Sequence, residues 1–287
     1  MALARELADL FKLRIGAAVT LSAVAGMATV EAPPPDAWRL AAVAAAVLVS
    51  SASAGAFNQL VERDLDGRMR RTRERPFVTG RYTPGPAWYA VILGLLALAV
   101  AGAALATNPV AALHVFLGAF VYGVVYTLWL KRRTWWNIVV GGLAGSFAVL
   151  AGAAALDPTP SPAALALAVV LFLWTPPHFW SLATVLKDDY AAAGVPMLPV
   201  VVGERRCARA ILANSVVLVV ASLAPAALGL GWAYLGFALV GGWVMLWRAW
   251  RLVRDPGRSN AMRCFAASLV QLLCVLVGAM VGGWSGA

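Results

Sequence analysis

Long apolar runs dominate this sequence, and each is long enough to cross the roughly 30 Å hydrocarbon core of a bilayer as a helix. Hydrophobic residues make up 62% of the 287 residues and charged residues only 13%, which is typical of a chain surrounded by lipid rather than water. The runs lie near residues 13–30, 40–57, 87–106, 111–130, 138–156, 163–186, 210–229, 231–247 and 264–284. We therefore predict an all-α integral membrane protein of nine transmembrane helices, with residues 1–287 forming one transmembrane domain.

Basic residues are confined to one set of chain segments. Of the 23 Lys and Arg residues, all except Arg39 lie in the N-terminal segment or in every second connection between the apolar runs. With nine crossings these segments share one side of the membrane, and the positive-inside rule places them and the N-terminus in the cytoplasm, with the C-terminus outside. The net charge of +10 then follows from topology and attraction to anionic membrane lipid, and it requires no nucleic acid.

The first apolar run does not have the features of a targeting segment. It lacks a small-residue cleavage site, and acidic Glu6 and Asp9 precede it, so we expect neither a signal peptide nor a transit peptide. We expect a multi-pass protein of the bacterial plasma (inner) membrane.

An acidic segment closes the second apolar run. At about 100° per residue, Asn58, Glu62 and Asp66 follow one another along one helical face, while Asp64 points elsewhere. Carboxylates one turn apart repel unless a cation lies between them, and hard oxygen ligands at this spacing suit Mg²⁺. The alternative is a solvated helix end whose charge is balanced by neighbouring arginines.

A second acidic segment follows the sixth run and contains Asp188, Asp189 and Tyr190. One acidic segment thus follows the second helix of each group of four. This recurrence predicts two four-helix repeats plus a ninth helix, with the two acidic sites facing each other across one cavity. It favours a metal-bound diphosphate as the ligand of that cavity.

Two basic segments, residues 70–75 and 131–133, are expected to lie near these acids, and we expect their cations to lack acidic partners. Guanidinium and ammonium groups suit phosphate oxygens, although topology alone would also place them on this side. The candidate diphosphate ligands are Arg71, Arg75, Lys131 and Arg132.

Two consecutive prolines, Pro176 and Pro177, interrupt the sixth run and precede His178. Because proline removes a backbone donor, the pair is expected to open the helix toward protein or a wet cavity. His178 is either a hydrogen-bonded buried histidine or a contact to an aromatic or metalloporphyrin acceptor.

At these residues the chain resembles the UbiA superfamily of intramembrane prenyltransferases, and within it the branch that acts on heme. The superfamily signature N-x-x-x-D-x-x-x-D is occupied by Asn58, Glu62 and Asp66, and Glu62 departs from it by one methylene. Quinone-type relatives carry a further Asp where this chain has His178. The segments that resemble the heme branch are residues 62–66, 69–76, 126–137, 177–180 and 188–200.

The resemblance implies a nine-crossing bundle with a central cavity open to the cytoplasmic side. It implies Mg²⁺ as cofactor, farnesyl diphosphate as donor, heme B as acceptor, heme O as product and a downstream heme-modifying enzyme as a further partner. His178 would contact heme, and Tyr190 or His178 would position the water that the reaction adds. The Mg²⁺ ligands would be Asn58, Glu62, Asp66, Asp188 and Asp189.

Three other functions agree with parts of the sequence. A UbiA-type enzyme acting on a quinone or chlorophyll precursor would not consume heme B. A transporter would need coupling carboxylates near the bilayer midplane, whereas the apolar runs are nearly free of acids. A heme-binding scaffold without catalysis would not need two acidic segments.

Overall fold

The structure is a computed structural model that describes residues 2–284, and every regular element within that range is helical. The helices are α1 Ala2–Leu10, α2 Leu13–Met27, α3 Ala37–Val61, α4 Arg63–Asp66, α5 Pro86–Ala106, α6 Pro109–Phe120, α7 Asn137–Gly141, α8 Leu143–Leu156, α9 Pro162–Val185, α10 Lys187–Ala192, α11 Leu198–Val202, α12 Glu204–Ala221, α13 Gly231–Arg254 and α14 Arg258–Trp284. Two π-helical stretches, Val121–Leu130 and Ala226–Leu230, continue α6 and precede α13. The all-helical membrane bundle is therefore confirmed.

The number of crossings depends on how two segments are counted. In residues 2–284, seven helical segments are long and apolar enough to cross a bilayer, and α1 with α2, bent by 53°, adds an eighth. One of the seven, Glu204–Arg254, has 51 residues and would extend about 76 Å if straight. Its backbone leaves helical geometry at Leu228 and Gly229, and α12 packs against α13. The chain therefore reverses direction between α12 and α13, which supports counting this segment as two crossings. The total of nine crossings stays a prediction.

Capping side chains mark where several spans begin. Asp36, Asn108 and Ser161 each accept a hydrogen bond from a backbone N–H in the first turn of α3, α6 and α9. Pro109 and Pro162 occupy first-turn positions, where the missing donor costs nothing. These local signals explain why the observed helices begin close to the predicted runs.

Helices α2 and α8 approach so closely that only glycine fits at the contact. A Cβ atom on Gly26 would overlap the Val149 carbonyl, and one on Gly152 would overlap the Ala23 carbonyl. Small residues allow such backbone contact where lipid provides no hydrophobic driving force for helix association. The contact fixes two of the helices that line the cavity described below.

The expectation that the proline pair opens the sixth run is wrong. Helix α9 continues from Pro162 through Pro176 and Pro177 to Val185. The Leu173 carbonyl, which would have accepted from an N–H at position 177, instead accepts from Asn214 Nδ2 at 2.6 Å. The neighbouring helix α12 thus replaces a donor that proline removed.

Candidate active site

The end of α3 brings three predicted site residues together. Backbone hydrogen bonds from Glu62 N to Asn58 O at 3.0 Å and from Asp66 N to Glu62 O at 2.8 Å continue the helical pattern across the break after Val61. Asn58, Glu62 and Asp66 are all buried, whereas the Asp64 side chain is 49% exposed. The predicted shared face, with Asp64 outside it, is what the structure shows.

Each buried carboxylate in this cluster has a cationic partner. Lys131 Nζ donates to Glu62 Oε2 at 2.5 Å, and Arg75 Nη1 donates to Asp66 Oδ2 at 2.6 Å. These pairs relieve the repulsion between carboxylates one turn apart and compensate the cost of burying them. The expectation that the cations of residues 70–75 and 131–133 lack acidic partners is therefore wrong for Arg75 and Lys131. It is also wrong for Arg73, which pairs with Glu74, and for Arg132, which pairs with Asp64.

Arg75 reaches Asp66 because the segment between them folds into a fixed turn. Thr72 is buried and its hydroxyl donates to the Asp66 carbonyl at 2.9 Å. Beyond the turn, the Phe77 ring packs edge-on against Trp88 at the start of α5, with centroids 5.2 Å apart. The loop is therefore anchored at both ends, which holds the guanidinium over the carboxylate.

Lys12 is a site residue that sequence reasoning missed. It lies at the bend between α1 and α2 with a positive φ of 50°, and its Nζ donates to Asn58 Oδ1 at 2.5 Å and to the Tyr122 hydroxyl at 2.9 Å. Asn58 Nδ2 in turn donates to the Thr127 hydroxyl at 3.1 Å. A signal was present in the sequence, since lysine occurs only at positions 12, 131 and 187 while arginine supplies the other cations.

Arg132 lies outside this buried cluster. Its guanidinium donates two hydrogen bonds to Asp64, at 2.7 and 2.8 Å, on a partly exposed surface. These hydrogen bonds hold the pKa of the Asp64 carboxyl below its usual value. Arg132 forms no hydrogen bond to the side chains of Asn58, Glu62 or Asp66, and its role in binding diphosphate stays a prediction.

The second acidic segment forms α10 and lies beside the basic loop. Asp189 Oδ1 lies 3.7 Å from Arg70 Nε, whereas Asp188 is exposed. Tyr190 is buried, and its burial raises the pKa of the phenol while the positive charge of Arg71 acts in the opposite direction. Asp189 and Tyr190 thus face residues 70–75, but within residues 2–284 no ion pair or hydrogen bond joins the two acidic segments.

The fit of this site to a divalent cation depends on one oxygen. Glu62 Oε1 is buried and has no hydrogen-bond partner among residues 2–284, and such a group normally has a ligand or partner. In the same part of the chain, no three His, Cys, Asp or Glu side chains lie together as a ready metal cage. A free carboxylate oxygen beside Asn58 and Asp66 nevertheless suits Mg²⁺, which commonly binds through one or two carboxylates and substrate phosphates.

An apolar cavity opens beside the cluster. Its empty volume is about 620 Å³, part of it open to the surroundings, and it runs between α2, α3, α6 and α8. Lys12 and Tyr122 line it, so the hydrogen-bonded pair next to Asn58 forms one polar end of the cavity wall. Most other lining residues are small and apolar: Val47, Ala54, Gly55, Val115, Gly118, Ala119, Ala144, Gly145, Ala148 and Ala151.

His178 lies away from the acidic cluster, between α9 and α14. Its ring is stacked between Trp174 and Phe265, with centroids 4.2 and 4.5 Å away, and its Nδ1 lies 2.7 Å from the Ser268 hydroxyl. Ser268 donates its only hydroxyl proton to the Phe265 carbonyl at 2.6 Å. We therefore assign the donor role to His178 Nδ1, which leaves the lone pair on Nε2.

The fold resembles those of solved prenyltransferases. A digeranylgeranylglyceryl phosphate synthase superposes with a TM-score of 0.79 at 16% identity, covering 99% of this chain and 100% of that one. A UbiA homologue from Archaeoglobus fulgidus bound to GPP and Mg²⁺ superposes with a TM-score of 0.72 at 17% identity, covering 96% and 99%. At these identities the likeness concerns the fold.

Comparison of the sequence with those of known proteins shows the family as well as the fold. Protoheme IX farnesyltransferase 2 of Paramagnetospirillum magneticum is 60% identical over 277 residues, covering 96% of each chain. Protoheme IX farnesyltransferase 1 of the same organism is 50% identical and covers 95% of this chain and 96% of its own length. The UbiA prenyltransferase family matches residues 19–284. This chain therefore belongs to the UbiA prenyltransferase family.

Proposed function

We propose that this protein transfers a farnesyl group from farnesyl diphosphate to the vinyl group of heme B, with addition of water, to give heme O. The observation that carries the proposal is the buried cluster of Asn58, Glu62 and Asp66 beside an apolar cavity, with Lys12, Arg75 and Lys131 bound to it. The two Paramagnetospirillum relatives that bear the name of this activity support heme as the acceptor.

The polar cluster is suited to a prenyl diphosphate. Arg75 and Lys131 can move from carboxylate to phosphate oxygens without leaving the site, and exposed Arg71 lies on the same loop as Arg75. Asn58, Glu62 and Asp66 would hold Mg²⁺, with Asp188 and Asp189 as ligands from the second segment. When bound, the metal would neutralise diphosphate charge and make it a better leaving group.

The cavity is suited to the prenyl chain. With the diphosphate at Asn58, the hydrocarbon tail would pass Lys12 and Tyr122 and lie between the small residues of α3 and α8. Burying an apolar chain there contributes binding free energy in proportion to the area removed from water. The donor would then be held with its allylic carbon near the cationic groups.

The reaction follows from this arrangement. The bond between the allylic carbon and diphosphate oxygen breaks, and Arg75, Lys131 and Arg71 stabilise the charge that develops on the leaving group. The vinyl carbon of heme attacks the allylic cation, a carbon–carbon bond forms, and water captures the resulting cation and loses a proton. Tyr190, buried beside Arg71, and His178 are the candidates to position that water.

The position of the acids does not favour transport. Glu62 and Asp66 follow the end of α3, and Asp188 and Asp189 follow the end of α9. Coupling carboxylates of a transporter are expected near the bilayer midplane, inside the spans. A quinone-type acceptor remains the rival that the assay below separates from heme.

We propose the bacterial inner membrane as the location, with the N-terminus in the cytoplasm and the C-terminus outside. The basic connections that contain Arg75, Lys131 and Lys187 would then share the cytoplasmic side with the site. The product is a membrane-soluble heme, so an enzyme that modifies heme further is the partner expected to take it.

The proposed function is tested with purified full-length protein in detergent, supplied with heme B, farnesyl diphosphate and Mg²⁺. Mass spectrometry should detect a heme heavier by one farnesyl group and one water, and chelation of divalent cations should abolish the product. Folded protein that farnesylates a hydroxybenzoate but not heme would replace heme by a quinone precursor as the acceptor.

A further inference from the structure

A groove lined by two arginines lies between α9 and α14, the two helices that are joined by the stacking of His178 on Phe265. It is formed by the end of α9 and the start of α14, and its lining residues are Val185, Arg258, Ser259, Met262 and Arg263. Met262 is 43% exposed, so the groove presents an apolar wall together with cationic groups. Neither arginine forms an ion pair within residues 2–284.

Two acidic side chains at this end of the helices, Asp255 and Glu204, already have other partners. Asp255, just before α14, accepts from Asn260 Nδ2 at 2.9 Å. Lys187, just after α9, pairs with Glu204 at 3.1 Å. Arg258 and Arg263 thus have no acidic partner within residues 2–284, and both guanidinium groups are available to an anionic ligand.

Helical geometry places the groove in line with His178. On α9, His178 and Val185 are seven residues apart and share a face, and on α14, Arg258, Met262 and Phe265 share a face at i, i+4 and i+7. The stacking of His178 on Phe265 shows that the two faces meet. Seven residues of helix span about 10 Å, so the arginine end lies roughly that far from the imidazole along the helix axes.

This arrangement matches a flat apolar molecule with acidic groups at one edge. A porphyrin of the heme B type has an aromatic ring for Phe265 and Met262, a metal for the free Nε2 lone pair of His178, and two propionate carboxylates at one edge. The distance from the porphyrin centre to those carboxylates is comparable to the rise of about 10 Å along seven helical residues. A quinone precursor with a single carboxylate would not use both arginines.

We propose that Arg258 and Arg263 bind the two propionate carboxylates of the tetrapyrrole acceptor and thereby orient its metal toward His178. The inference rests on the proposed function, because it concerns the acceptor of that reaction. Paired guanidinium–carboxylate contacts give geometric specificity as well as affinity.

The test compares heme B with its dimethyl ester, in which both propionates are neutral. Binding to purified full-length protein is followed by the shift of the Soret band for wild type, Arg258→Gln, Arg263→Gln and the double variant. Each single substitution should weaken binding of heme B about tenfold, as expected for loss of a charge-assisted hydrogen bond. Binding of the diester should be weak in wild type and unchanged in the variants. Arg251→Gln is the matched control, because Arg251 is exposed near the end of α13 and lies by Trp247 rather than in the groove.

Four outcomes would overturn the proposal or its basis. A double variant that binds heme B as tightly as wild type would exclude the arginines from propionate binding, and equal weakening for heme B and the diester would show a structural effect instead. If the double variant makes heme O with an unchanged KM for heme, only the present inference fails. If wild type forms no farnesylated heme, the proposed function fails with it.

Discussion

At the scale of single residues, the site is built from buried charges that neutralise one another. Glu62 is bound by Lys131, which is 69 residues away in the chain, and Asp66 is bound by Arg75, which is 9 residues away. Removing one member of a buried pair costs more than the pair contributes, because the remaining charge is left without compensation. Tests at this site therefore use substitutions that keep shape and hydrogen bonding.

Asp66→Asn should keep the fold and reduce turnover at least about 100-fold, since a neutral amide ligates Mg²⁺ poorly and stabilises developing charge less well. The amide oxygen can still accept from Arg75, whose side chain is 20% exposed and can be hydrated, so the thermal unfolding temperature should fall but the protein should remain folded. Product formation and thermal unfolding are measured together. Asp64→Asn, two residues away but half-exposed, is the matched control and should retain activity. Normal turnover in Asp66→Asn would remove Asp66 from the metal site.

Lys12→Met should raise the KM for farnesyl diphosphate about tenfold, because Asn58 and Tyr122 lose the ammonium that holds them at the cavity. Lys12→Arg should recover part of the loss, since it keeps the charge. Arg14→Met is the control: Arg14 lies two residues further on, in the first turn of α2, is exposed, and contributes to topology in the same way. The KM for farnesyl diphosphate of each variant is measured by steady-state kinetics with varied donor concentration. If Lys12→Met and Arg14→Met change the KM for the donor equally, Lys12 contributes only to membrane topology and not to donor binding.

The sequence pattern predicted which site residues share a helical face, but it did not predict their partners from other parts of the chain. Helical periodicity was enough to place Asn58, Glu62 and Asp66 on one face and Asp64 off it. The partners of these residues could not be predicted, because Lys131 is 69 residues from Glu62 and only packing brings them together. Lys12 depends in addition on a 53° bend and a left-handed backbone conformation, which no spacing signals.

At the scale of helices, apolar runs predict spans well because lipid leaves the backbone no alternative to internal hydrogen bonding. The predicted run 163–186 corresponds to α9, Pro162–Val185. What the pattern could not predict is the fate of a carbonyl freed by proline, since its new donor belongs to another helix. Asn214 on α12 supplies that donor to Leu173.

This substitution of donors leads to a double-mutant test. Asn214→Ala should destabilise the protein by about 1–3 kcal/mol, the cost of leaving a partly buried carbonyl without a donor. In a Pro177→Ala background the N–H returns and can bond Leu173, so the same Asn214→Ala change should cost markedly less. Thermal or denaturant unfolding in detergent gives the four stabilities of the cycle. Equal costs in both backgrounds would show that Asn214 does not compensate for the proline.

At the scale of the whole molecule, the orientation of the bundle follows from where its cations lie. Helix α13 carries Arg248, Arg251 and Arg254 at its end, and the guanidinium groups of Arg248 and Arg254 lie over the rings of Trp247 and Trp250. Tryptophan and arginine at one level of a span are typical of the membrane–water interface. If α12 and α13 form two crossings, Arg205 and Arg254 lie on the same side, as the positive-inside rule requires.

The two crossings can be tested with single cysteines in a chain whose Cys207, Cys264 and Cys274 are replaced by alanine. Leu228→Cys lies at the reversal between α12 and α13, where the native side chain is 42% exposed, and it should react with a membrane-impermeant thiol reagent in intact bacteria. Gly257→Cys lies between α13 and α14 and should react only after permeabilisation, because one further crossing separates the two positions. If Glu204–Arg254 instead crossed the bilayer once, position 228 would be near the middle of the span and would resist the reagent in both conditions. Reaction of Gly257→Cys in intact cells, with Leu228→Cys protected until permeabilisation, would invert the orientation and place the Asn58–Asp66 cluster on the outer face.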